Sequence, residues 1–77
     1  MKINVGDFIY KEWFNKKEKL IYKITSIDGK INGIIIFSTF SLCFSEGETV
    51  ENICKDTDGS FRIVKKLSKE EVFMEML

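Results

Sequence analysis

The chain has no histidine, proline, alanine or glutamine, and only one arginine and two cysteines among its 77 residues. Without histidine the commonest general base and the commonest metal ligand are both missing, which excludes Ser–His and Cys–His nucleophilic pairs. Two cysteines and no histidine cannot fill a tetrahedral zinc shell from one chain. The five glycines are scattered singly, so no phosphate-cradling glycine loop is present. There is no excess of positive charge either: Lys plus Arg is 12, Asp plus Glu is 12, and the formal net charge is zero. That balance argues against a dedicated nucleic-acid or membrane-surface binder, whose affinity rests on excess cations. The longest apolar run, Ile34–Phe37, is far short of a membrane span. Residues Met1 to Asp7 contain no apolar stretch of signal-peptide length, and the expected location is cytoplasmic. Two cysteines are few for a small secreted domain. Cys43 and Cys54 are expected as small apolar residues of a β core, with a disulfide or a reactive thiol as alternatives.

What is present points to β structure. Ile, Val, Phe, Tyr, Trp and Thr make up 29 of the 77 residues, while the strongest helix former is absent. The length suits one domain, 1–77, with a small core. A core of that size rarely supplies more than about 3–5 kcal/mol, which leaves room for support from a partner or a second copy. Lys outnumbers Arg 11 to 1 and Ile is as common as Lys. This bias suggests an AT-rich coding genome, as in many low-GC bacteria and their phages.

Along the chain, turn signals recur about every ten residues. A first strand is expected over 3–13, interrupted by a bulge or kink at Gly6-Asp7. A second is expected over 19–27, with Leu20, Tyr22 and Ile24 on one face. Asp28-Gly29 is a type I′ hairpin signal. Strand 30–38 is apolar on both faces around Ile34, Ile35 and Ile36, which places it centrally or beneath a covering helix. Strand 39–45 alternates Phe40, Leu42 and Phe44 with Ser41, Cys43 and Ser45. Glu46-Gly47-Glu48 is a turn, 49–55 fits either a helix or a short irregular strand, and Asp56–Gly59 is a second turn. The last strand is expected over 60–66. Ser68-Lys69-Glu70-Glu71 then has the form of a capping box, and Leu67 with Val72 the spacing of a hydrophobic staple, predicting a helix over 69–77. Leu67, Val72 and Phe73 are its expected anchors, with Met76 completing an apolar stripe.

Val5-Gly6-Asp7, a long polar excursion, and then Tyr22-Lys23-Ile24 resemble the opening of Src-homology-3-like small barrels, over about a third of the chain. The expected fold class is therefore mainly β (α+β by content). It would be a small antiparallel, SH3-like barrel or strongly bent sheet of five to six strands with a short C-terminal helix.

Candidate sites follow from what remains. Asp56, Asp58 and Gly59 have the spacing of part of a calcium loop, but Cys54 and Lys65 fall where carboxylates are required, so a hairpin turn is expected. No carboxylate pair stands out for acid catalysis, and neither a catalytic site, a metal nor a cofactor is expected. Lys11, Lys16, Lys17 and Lys19 cluster around Trp13 and Phe14, the aromatic-plus-basic pattern of single-strand nucleic-acid binding. Glu12 and Glu18 dilute that cluster, and arginine, the preferred reader of phosphate, is nearly absent. Ten aromatic residues exceed what so small a core needs. Phe73, Met74, Met76 and Leu77 make the terminal helix apolar on more than one side. The expected function is a non-enzymatic protein-interaction module, of the kind a phage or mobile element uses to bind and inhibit a host factor. Its partner-binding residues would be Tyr10, Trp13, Phe14, Lys16, Lys17, Lys19, Phe73 and Met76. The partner would be a protein, with a homodimer as a further arrangement. A nucleic-acid-binding barrel is the alternative, and no membrane association is expected.

Overall fold

The computed structural model describes residues 2–13, 17–40, 44–54 and 61–77, the last range without the side chains of 61–64. Among these residues are five strands and one helix: β1 (Phe8–Trp13), β2 (Lys19–Ile27), β3 (Ile31–Ser38), β4 (Thr49–Val50), β5 (Phe61–Leu67) and α1 (Lys69–Glu75). All strand pairs are antiparallel, in the order β4-β3-β2-β1-β5. The first four strands form a meander and β5 returns to the outer edge of β1. No ladder joins β4 to β5 among the described residues, so the sheet is open. The molecule is thus a five-stranded, mainly antiparallel β sheet with a short C-terminal helix.

Several expected boundaries move. β1 begins at Phe8, because Val5 and Gly6 form a turn with Gly6 at φ 93°. The Asp7 carboxylate accepts the Asn4 amide at 2.7 Å and the Asp7 amide donates to the Asn4 carbonyl at 3.1 Å, which closes that turn. The chain still tracks β2, since the Ile24 carbonyl accepts from Gly6 and the Ile24 amide donates to the Asp7 carbonyl. The Asp28-Gly29 turn is not type I′, since of the residues between Ile27 and Ile31 only Gly29 has positive φ, at 88°. The alternation over 39–45 does not yield a strand at Thr39, Phe40, Phe44 or Ser45, and Phe44 takes φ 57°, which breaks an extended path. Residues 41–43 and the turn expected at 56–59 lie outside the described residues.

The ambiguous segment 49–55 supplies the two-residue strand β4 and then turns at Asn52, φ 57°. The Glu46–Glu48 turn forms as expected, with Gly47 at φ 87°. Gly47 donates to the Ile35 carbonyl at 2.7 Å and the Ile35 amide to Glu48 at 2.9 Å, so this turn and β4 together cover the outer edge of β3.

Both faces of the sheet are apolar. Ile9, Leu20, Tyr22, Ile24, Ile35 and Ile53 form one cluster, and Ile21, Leu67 and Val72 the other. The alternation of β2 assigns Leu20, Tyr22 and Ile24 to the first and Ile21 to the second. A bulge opposite Ile21 and Tyr22, which pair with Phe37 and Ile35, leaves Ile36 as the extra residue. Ile36 and Phe37 then both pack on the second cluster. The helix lies over that second face. Its start is the capping box read from the sequence: Glu71 N–H donates to Ser68 Oγ at 3.1 Å, and Ser68 N–H donates to Glu71 Oε1 at 3.0 Å. Leu67 and Val72 are both buried, each contributing about 1.5–3 kcal/mol by removal from water.

A candidate interaction surface on the terminal helix

Seven residues in α1 cannot hold a helix without packing, so the sheet decides which side of it is buried. Val72 points inward. Glu75 also reaches the sheet, its carboxylate 2.6 Å from Lys19 Nζ, and Glu71 lies 3.6 Å from Lys65 Nζ on the β5 side. At 3.6 residues per turn, Phe73 and Met74 turn away from Val72, while Met76 caps the helix one turn after Val72 and Leu77 lies beyond its last residue. Their exposures agree: Phe73 69%, Met74 69%, Met76 46% and Leu77 85%. Phe73 is therefore not an anchor of the helix, because it follows the inward Val72 by one residue and is carried about 100° around the axis. The anchors are Val72 and Leu67, with Glu75 as a polar tether.

Beneath the helix, Lys19 sits among apolar neighbours, its Nζ 5.7 Å from the centre of the Phe37 ring. The hydrogen bond to Glu75 holds its pKa above the ordinary lysine value, against the opposing effect of burial. Tyr10 is half-buried beside it, and burial raises its phenol pKa, partly offset by the Lys19 charge. Tyr10 and Lys19 thus support the helix from below, and Lys19 is consumed by an intramolecular ion pair.

Trp13 lies on the other face. It meets Phe40 edge-on, with centroids 6.0 Å apart, and Phe40 meets Phe44 at 5.1 Å. All three are half-buried. Lys17 is exposed, and Phe14 and Lys16 lie outside the described residues. The eight residues expected to form one binding surface are therefore divided. Tyr10, Lys19, Phe73 and Met76 belong to the helix side, and Trp13 belongs to the opposite face.

The lysine cluster also changes. Lys11 is buried, 5% exposed, and donates to the Ile53 carbonyl at 2.8 Å from a position 5.9 Å over the Tyr22 ring. It is not part of an outward basic patch. The sign of this was its place in β1, two residues from Ile9 and so on the same inward face. Beside it, burial and then the Glu48 charge push the Tyr22 phenol up to about 12. Other lysines are engaged as well: Lys30 with Glu51 at 2.6 Å and Lys66 with Asp7 at 3.4 Å. Cys54, expected in the core, is an exposed free thiol, because it follows the buried Ile53 within a turn. Among the described residues, no three carboxylate or thiol side chains gather as a metal ion would require, and no helix is long and apolar enough to cross a membrane.

No protein-family model matches this chain, and no curated protein or solved structure matches it at a significant level. The fold and surface chemistry define a small antiparallel β protein carrying an exposed apolar helix face.

Proposed function

We propose that this chain is a small, non-enzymatic protein-interaction module of the open-barrel type, with the outer face of α1 as its contact surface. One observation carries the reading. Phe73, Met74, Met76 and Leu77 are large, apolar and exposed within the last five residues, at one end of the helix. A contiguous apolar patch on a small soluble domain marks a contact site, and methionine and phenylalanine suit an adaptable one. A cytoplasmic accessory protein of a bacterial phage or mobile element, binding and inhibiting a host factor, fits the size, neutrality and coding bias of the chain. Single-stranded nucleic acid is the less favoured ligand, because Lys11 is buried and Lys19 is ion-paired.

Affinity capture from lysate of the source organism, compared across variants, tests the reading. Proteins retained by the wild type should be lost with Phe73→Ser/Met74→Ser and kept with Lys17→Ala. Retention that ignores Phe73 and Met74 but follows Lys17, and weakens steeply with salt, would favour nucleic-acid-mediated capture instead.

A further inference from the structure

We propose that Asn32 is a site of spontaneous deamidation which the folded sheet holds shut, so that conversion proceeds through openings of β3 from its neighbours. Asn32 is followed by Gly33, whereas Asn4, Asn15 and Asn52 precede Val5, Lys16 and Ile53. A glycine has no Cβ to shield its own nitrogen, so that nitrogen approaches a neighbouring carbonyl closely. The Gly33 nitrogen attacks Cγ of Asn32 and closes a five-membered imide. The Cγ–Nδ2 bond breaks, and Nδ2 leaves with the Gly33 amide proton as ammonia. Water then adds to one imide carbonyl and breaks its bond to nitrogen, giving aspartate or isoaspartate. Ammonia is lost, water is gained, and one negative charge appears.

The fold demands both members of this pair. A Cβ at position 33 would meet the Lys23 carbonyl oxygen at 2.9 Å. The Asn32 side chain joins three segments: Nδ2 donates to Ser26 Oγ at 3.1 Å and to Asp28 Oδ1 at 3.2 Å, and Oδ1 accepts the Asn52 amide at 2.9 Å. The same geometry opposes the reaction. Gly33 is buried and pairs with Ile24 of β2 on one side and Val50 of β4 on the other. An extended residue has ψ of about +135°, which directs the following nitrogen away from its own side chain. Ring closure needs a large rotation of that dihedral, which breaks the pairing at Gly33. Conversion then undoes the hub. Aspartate loses both Nδ2 donors and sets a second carboxylate against Asp28, and isoaspartate lengthens the main chain within a strand paired on both sides.

Peptide mass spectrometry of protein held in mildly alkaline buffer, native and in urea, tests the proposal. Mass gain at Asn32 should be at least about tenfold slower in the native wild type than in the unfolded chain. This comparison needs no variant. Ser26→Ala/Asp28→Ala, with its fold checked by circular dichroism, should speed the native reaction at least about threefold and leave the rate in urea unchanged. Asn32→Asp, which is one of the two products, should lower the urea midpoint. Equal native and unfolded rates would overturn the proposal, as would an unfolded chain that converts Asn4 or Asn52 as fast as Asn32. A folded double variant that reacts no faster than the wild type would overturn the hold by Ser26 and Asp28, and an unchanged midpoint for Asn32→Asp would overturn the loss of the hub.

Discussion

Lys11 and Tyr22 sit side by side on the buried face of the sheet, one nominally charged and the other nominally polar. The lysine ammonium holds the Ile53 carbonyl and so fastens the turn after β4 over the first core cluster. Lys11→Ala should destabilise the protein by about 1.5–3 kcal/mol, the range for losing a charged hydrogen bond to a buried acceptor. A shift of the urea midpoint reads this out, and an unchanged midpoint would contradict it. Tyr22 makes a prediction in pH. Its folded pKa is about 12 against an ordinary 10.0, so between those values the unfolded chain releases a proton that the folded chain retains. Stability from this source is complete below pH 10 and declines as pH rises toward 12. The thermal midpoint of the wild type should therefore fall more steeply than that of Tyr22→Phe between pH 9 and 11. Parallel curves would contradict the assignment. Neither role could be read from residue type, since a lysine in a strand is ordinarily solvated; only its alternation with Ile9 pointed inward.

The helix and the sheet differ in how far local signals determine them. At α1 each local preference agrees with the fold: Ser68 caps, Glu71 reciprocates, and Leu67 meets Val72. Such a start is legible in sequence because all its partners lie within five residues. Ser68→Ala should cost about 0.5–2 kcal/mol in urea denaturation. The hydrogen bonds from the Ser68 amide and then its hydroxyl hold the Glu71 carboxyl below its ordinary value of 4.5, with a smaller contribution from Lys65. The folded state thus binds fewer protons than the unfolded one just below that value. The stabilisation is present above pH 4.5 and lost as pH falls below it. Glu71→Gln should accordingly lose less stability than the wild type between pH 5 and 3; equal losses would rule out this source.

In the sheet, by contrast, the segment at 19–27 was legible from its alternation, and that at 30–38 from an apolar run following a turn signal. The apolar alternation over 39–45 misled at Thr39, Phe40, Phe44 and Ser45, because such alternation does not specify a pairing partner. β4 has only two residues and owes its existence to hydrogen bonds with β3. On the other side of β3, Gly33 marks a close approach to β2: a Cβ there would meet the Lys23 carbonyl oxygen at 2.9 Å. Gly33→Ala should cost about 1–3 kcal/mol by overpacking, and a neutral result would mean that β2 and β3 separate easily there.

At the scale of the whole molecule, the sheet has two apolar faces, and among the described residues a single helix covers one of them. That asymmetry explains why the candidate site was only partly legible. Phe73 and Met76 were recognisable from composition, since a short helix with apolar residues on several sides cannot bury them all. Their separation from Trp13 was not recognisable, because it depends on which face of β1 each neighbour occupies after the turn at Gly6. The outer face of α1 is the surface proposed to make this protein's contacts. Methionine-methyl NMR tests it most directly, because Met74 and Met76 place two of the three methionine probes on that face. As a captured partner is added, both methyl resonances should shift in a saturable manner. Trp13 indole and Lys17 signals should stay in place. If Met74 and Met76 remain fixed under that titration while the Trp13 side moves, the contact surface lies on the opposite face and not on α1.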